Sequence, residues 1–298
     1  MFLTFKLYGQ ENSDEPAIII LGTSQDAGFP QINCQKRCCV KARKDSSNIY
    51  VSCIGLIYKD NYYLFDATPN IKEQIEMVHH NFPHLRGKLP EGIFLTHAHI
   101  GHYTGLMELG REATNAQNIK VYAMPRMSAF LHENGPWNQL IKIKNIEIID
   151  IHRQDPISID GQIFVTPFLV PHRDEYSETV GYEIRTQHRR AVFIPDIDKW
   201  NKWKASITDI VKEVDYAFLD ATFYDISELP NRNMEEIPHP FVVESMDLFR
   251  NLDNSDKKKV HFIHLNHSNP LLDENSEEYS GVRTKGFSVA KQSTVLKL

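Results

Sequence analysis

Apolar residues fall in short blocks with two different periods. Residues 17–21 (Ala-Ile-Ile-Ile-Leu) are an unbroken apolar run, the pattern of a strand covered on both faces. Residues 51–58 followed by 62–65 predict a hairpin that turns at Lys59-Asp60-Asn61. Pro69 predicts a helix start, and Ile71, Ile75 and Val78 share one face of a helix running to about His80. Further strands are predicted at 92–96, 120–123, 141–151, 162–170, 179–186, 191–194, 216–219 and 260–265, and helices at about 102–112, 127–133, 203–211 and 242–250. No repeat, low-complexity tract or Gly/Ser linker interrupts this alternation. Residues 17–298 are therefore expected to form one domain, an α/β (α+β) body with strand-rich halves and helices outside them. Residues 1–16 are expected to be an N-terminal extension, either a disordered or edge-strand start or the remnant of a signal peptide.

Composition narrows the function classes. The chain has 298 residues, 41% of them hydrophobic, enough to bury a substantial core. The formal net charge is −6 and no basic run exceeds Lys257-Lys258-Lys259, which disfavours a nucleic-acid partner, since that needs a basic face to release counterions. No apolar stretch approaches the roughly 18 to 20 residues that span a bilayer, so no membrane partner is expected. A soluble protein acting on a small molecule is expected, cytoplasmic, or periplasmic or secreted if the N-terminus is a signal remnant. A homodimer is one option among its oligomeric states.

Chemistry concentrates at two places. Cys34, Cys38 and Cys39 lie within six residues, too close for comfortable disulfides, which favours metal binding. Among the 14 His, His97, His99 and His102 cluster where an apolar strand gives way to a helix, and His261, His264 and His267 form a second group. Three imidazoles in one loop are a poor packing motif, because each buried ring needs both a donor and an acceptor satisfied. A metal centre accounts for them better.

The run Thr96-His97-Ala98-His99-Ile100-Gly101-His102 resembles the His-x-His-x-Asp-His signature of the metallo-β-lactamase fold. Asp66 after Tyr63-Leu64-Phe65, His172 after Val170-Pro171, Asp196 after Ile194-Pro195 and His264 after Phe262-Ile263 match the other motifs in order. The resemblance implies an αββα sandwich with metals at the edge of its two sheets. It further implies that His97, His99 and His172 hold one divalent metal and His102 and His264 a second, with Asp196 bridging and Asp66 ordering the histidine loop. Zinc is the expected metal, with iron or manganese as alternatives. Where the signature has Asp, this chain has Gly101. The second site is therefore expected to lack a carboxylate, leaving one or two metals in the centre, either a mononuclear site or a second metal that is weak and exchangeable, and Gly101→Asp is expected to raise its occupancy.

Outside these motifs the chain resembles the pyrroloquinoline quinone biosynthesis protein B group, through Leu21-Gly22-Thr23, Gly28-Phe29-Pro30-Gln31, Asp220-Ala221-Thr222-Phe223 and the run 264–273. Members of that group that make the quinone typically lack the first two His of the loop, whereas His97 and His99 are present here. The phosphonate-pathway phosphodiesterase PhnP is similar in pairing three N-terminal Cys with a His three residues after its last catalytic one. That likeness implies a structural zinc on Cys34, Cys38, Cys39 and His267. His239, downstream of Asp220-Ala221-Thr222-Phe223, resembles the proton-donating His of tRNA-processing phosphodiesterases; a rigid loop residue between two prolines is the alternative. The expected function is metal-dependent hydrolysis by metal-bound hydroxide, of a phosphodiester or a similar small ester. The alternatives are an oxidative role in quinone cofactor synthesis and a non-catalytic metal-binding or carrier protein.

Overall fold

Each long apolar run becomes a strand covered on both faces. The computed structural model describes residues 15–298 except Asn231, and all but the last two residues of the extension expected at 1–16 lie outside the described residues. Strands β1 (Ala17–Gly22), β2 (Cys53–Tyr58), β3 (Asn61–Phe65), β4 (Gly92–Phe94), β5 (Ile119–Ala123) and β6 (Ile146–Asp150) build a first sheet. Strands β7 (Ile157–Ile159), β8 (Ile163–Leu169), β9 (Val180–Arg185), β10 (Arg190–Ile194), β11 (Tyr216–Asp220), β12 (Val260–Ile263) and β13 (Ser288–Val289) build a second, and β14 (Val295–Lys297) returns to the first beside β1. In both sheets antiparallel pairing gives way to parallel, at β3–β4 in one and β10–β11 in the other.

Alternation along β1 explains the layers. Ile18 and Ile20 face the second sheet and pack with Phe65, Phe94, Tyr182, Phe193 and Phe218. Ile19 and Leu21 face outward, towards α2 (Ile71–Asn81), α4 (Pro125–Glu133) and α5 (Trp137–Lys142). The outer face of the second sheet is covered by α6 (Ile207–Glu213), α7 (Val242–Leu248) and α9 (Glu277–Thr284). The result is the αββα sandwich.

Several boundaries differ from the sequence pattern. The helix expected at 102–112 is α3 (Ile100–Tyr103) followed by a 3₁₀ stretch, Thr104–Leu109. Gly105 donates its N–H to the Ala67 carbonyl (2.9 Å) at a contact so close that an added Cβ would stand 2.1 Å from the Thr68 oxygen. The strand expected at 141–151 begins only at Ile146, because residues before it form α5 and a turn. The buried Asn145 amide fixes that turn by donating to the Ala116 carbonyl (2.7 Å). The helix expected at 203–211 starts at Ile207, where the Ser206 hydroxyl accepts from the Asp209 N–H. α1 (Arg37–Lys44), α8 (Asn254–Lys257), α9, β7, β13 and β14 were not anticipated; they are too short or too polar to carry a clear period.

Direction positions the site. β1, β3 and β4 run the same way in one sheet, and β8, β10, β11 and β12 in the other. The segments leaving their C-terminal ends meet at one edge, where a sheet of this kind leaves a crevice.

Candidate metal centre

Two buried carboxylates organise the edge in parallel fashion. Asp66, at the end of β3, accepts the Thr96 N–H (2.8 Å), the Thr96 hydroxyl (2.9 Å) and the His102 Nδ1–H (2.7 Å). Asp220, at the end of β11, accepts the Thr222 N–H (2.9 Å), the Thr222 hydroxyl (2.7 Å) and the His239 Nδ1–H (2.8 Å). With its proton committed, each threonine oxygen becomes an acceptor, for His97 Nδ1–H at 3.0 Å and for His264 Nδ1–H at 2.9 Å. The Nδ1 atoms of His97, His102 and His264 are thereby engaged and their Nε2 atoms turn towards the centre, which is how supporting groups aim imidazoles at a metal. Asp66 and His264 hold φ of 74° and 65°, a left-handed backbone that a structural loop would normally assign to Gly or Asn.

The donor atoms converge on Asp196, which follows β10. One donor atom each from His97, His99, His172 and Asp196 lies within 4.8 Å of the others, and so do donors from Asp26, His102, Asp196 and His264. Asp196 Oδ2 is 3.4 Å from His97 Nε2, 3.1 Å from His102 Nε2 and 3.2 Å from His264 Nε2, while Oδ1 is 3.5 Å from His172 Nε2. Two features fit a cation here. His97 Nε2 and His99 Nδ1 face each other at 2.9 Å, and the buried His172 nitrogens and Asp196 Oδ1 make no hydrogen bond among the described residues. Buried polar atoms are rarely left so. Burial would raise the Asp196 carboxyl, but His264, His172 and the other surrounding imidazoles hold it well below its usual range. Burial pushes His172 down to about 4, leaving the ring neutral at neutral pH.

The structure brings every sequence-nominated residue of this centre to the edge: Asp66, His97, His99, His102, His172, Asp196, His239 and His264. Asp66 supports His102 and does not face the donor cluster with its own oxygens. His239 lies inside the site, with Nδ1 3.3 Å from Asp196 Oδ1 as well as bonded to Asp220. Burial opposes charging of this ring, yet the carboxylates around it, Asp220 with Asp196 and Asp26, together raise it.

Three positions depart from expectation. Asp26, in the segment after β1, was not nominated; its Oδ1 lies 3.1 Å from His102 Nε2 and 3.4 Å from His264 Nε2, so a carboxylate does stand beside the second imidazole pair. The available signal was the missing carboxylate at Gly101, which calls for a replacement from elsewhere. In the cysteine cluster, Cys34 Sγ and Cys39 Sγ lie 3.7 and 3.5 Å from His267 Nδ1, but Cys38 falls outside that three-residue group, 4.0 Å from Cys39 Sγ. Adjacent residues on a helix point about 100° apart, and in α1 it is Cys39 that turns inward. His261 separates from the His264 group: it lies on β12 against Phe218 and Tyr216.

An αββα sandwich with histidines and carboxylates gathered at one strand edge is the architecture of metallo-β-lactamase-type proteins. A family model, the beta-lactamase superfamily domain, matches residues 61–265, and the chain belongs to that superfamily. It is 25% identical over 315 residues to "Coenzyme PQQ synthesis protein B" of Rhizobium meliloti (strain 1021), covering 94% of this chain and 97% of the relative. Zn(2+)-bound PqqB from Methylobacterium extorquens superposes with a TM-score of 0.79 at 22% identity, over 95% of this chain and all (100%) of that one. A diphosphatase from the PhnP family superposes with a TM-score of 0.68 at 20% identity, over 95% and 97% of the two chains. At these identities the structural likeness speaks for the fold.

Proposed function

We propose that this protein is a metal-dependent hydrolase acting on a phosphodiester or a similar small ester. The observation that carries the reading is the convergence of nitrogens from His97, His99 and His172, all within 4.8 Å of one another, on a buried Asp196. A divalent cation held there, zinc by analogy with the zinc-bound structural neighbour, supplies Lewis acidity and brings the pKa of water down to around 7. His97, His99 and His172 hold one cation, Asp196 spans both halves of the centre, and His102 and His264 face the second half. Asp66 fixes His102, and the Asp220–His239 pair presents a proton-carrying imidazole for the departing oxygen. Cys34, Cys39 and His267 hold a separate structural zinc, with Cys38 the nearest further thiol.

The test is turnover by metal-loaded protein of bis-p-nitrophenyl phosphate and of an alkyl phosphodiester. His97→Ala is expected to lose turnover and the cation held with His99 and His172. His239→Asn is expected to keep its metal and lose roughly 10²- to 10⁴-fold in kcat on the alkyl ester, with far less effect on the aryl ester, whose leaving group needs no proton. Absence of turnover of either ester with zinc, manganese or iron would sink the reading. A second reading, a step in quinone cofactor synthesis, is favoured by the name of the Rhizobium meliloti relative and by the length of chain the two share. The complete His97-His99-His172 set supports hydrolysis over this second reading.

A further inference from the structure

The histidine loop supplies no carboxylate of its own at Gly101, and Asp26 fills that place from another element. A Cβ added at Gly101 would stand 2.6 Å from Asp26 Oδ1, 2.6 Å from its Cα and 2.9 Å from its Cβ. Side chains at 101 and 26 therefore compete for one volume, and a glycine at 101 is what admits Asp26. The segment bearing Asp26 is held in place. Ser24 pairs in parallel with both Val51 and Leu265 and so ties one sheet to the other. Around it, the Gln25 N–H donates to the Leu265 carbonyl (2.9 Å), the Ser52 N–H to the Ser24 carbonyl (2.8 Å) and the Gly28 N–H to the Gln25 carbonyl (2.7 Å).

We propose that Asp26 is the carboxylate ligand of a second divalent cation, held with His102, His264 and the shared Asp196. The proposal rests on the reading that the His/Asp centre binds metal. Donor atoms of these four residues lie within 4.8 Å of one another, and the Nδ1 atoms of both imidazoles are engaged by Asp66 and Thr222, leaving Nε2 towards Asp26. A buried pair of dications sharing only Asp196 would carry a large uncompensated charge, and a second carboxylate lowers it. The centre is thus dinuclear, with the carboxylate delivered by the segment after β1 instead of by the loop after β4. This reverses the expectation for Gly101→Asp. That substitution alone drives the new side chain into Asp26 and lowers occupancy of the second position.

The experiment is Co(II) titration of chelator-stripped protein, followed by visible absorption and by metal analysis, with thiolate charge-transfer absorption separating the cysteine cluster from the His/Asp centre. Wild type is expected to take up two ions at the His/Asp centre. Asp26→Asn, nearly isosteric and checked for native circular dichroism, is expected to retain one and to weaken the second by more than the roughly 10- to 100-fold that loss of an outer supporting group costs. Gly101→Asp is expected to weaken it too, and the double variant Asp26→Gly/Gly101→Asp to recover it, an outcome that no general loss of folding produces. Two ions bound with wild-type affinity in Asp26→Asn, or only one in wild type, overturns the Asp26 assignment and leaves the hydrolase reading standing. No ion at His97, His99 and His172 in wild type overturns both.

Discussion

His261 is a histidine that chemistry does not use, and its surroundings set a measurable pH dependence. Its ring lies 5.4 Å from that of Phe218 and 6.1 Å from that of Tyr216, and burial, with Arg283 nearby, brings it down to about 4. The unfolded chain takes up a proton near 6.5, so the folded state binds fewer protons between the two values. Stability is intact above about 6.5 and is lost as pH falls towards 4. The difference in urea-unfolding free energy between wild type and His261→Phe is expected to move by about 2 kcal/mol in the variant's favour between pH 7 and pH 5. An unchanged difference would show the ring to be solvated. At this scale the histidine loop was legible, because three ligand-type residues fall within six positions. Asp26 was not: it stands 76 residues from His102, and a single aspartate in a polar segment carries no period or spacing. Thr96 and Thr222, which settle which nitrogen each histidine presents, were equally silent.

Among the elements, those with long apolar runs were anticipated within about two residues, since a strand covered on both faces needs nothing but apolar residues. The turns between them were less legible, because their boundaries depend on individual close contacts. Gly22 is one such contact. A Cβ there would stand 1.9 Å from the Val51 carbonyl oxygen and 2.7 Å from that of Tyr50, where β1 leaves the sheet on its way to Asp26. Gly22→Ala is therefore expected to destabilise by roughly 1–3 kcal/mol or more in thermal or denaturant unfolding. A neutral result would show that the chain can open at this crossing without loss.

Over the whole molecule the donors come from both halves: Asp26, His97, His99 and His102 from segments leaving the first sheet, His172, Asp196 and His264 from segments leaving the second. The cysteine cluster likewise joins α1 to the segment after β12. A ligand bound only by the folded state stabilises it by about 2.7 kcal/mol at a hundredfold excess over Kd. Chelation is expected to lower Tm and metal to restore it, with His97→Ala losing the part contributed by the cation at His97, His99 and His172. A Tm indifferent to chelator in wild type would show that neither cluster is filled in the folded protein.

The sequence by itself determined the apolar-run strands and the grouping of His97, His99 and His102, because strand periodicity and clustered ligands are local properties of the chain; the two-sheet sandwich and the meeting of His172, Asp196 and His264 at one edge were implied by the resemblance of the ordered motifs to the metallo-β-lactamase signature. Only the tertiary structure decided that Asp26 enters beside His102 and His264, that Asp220 supports His239 and that Cys38 lies beside Cys39 but outside the group formed by Cys34, Cys39 and His267. Those three outcomes depend on which loops a parallel edge brings within a few ångströms, and on the volume a glycine leaves empty, neither of which has a local signature.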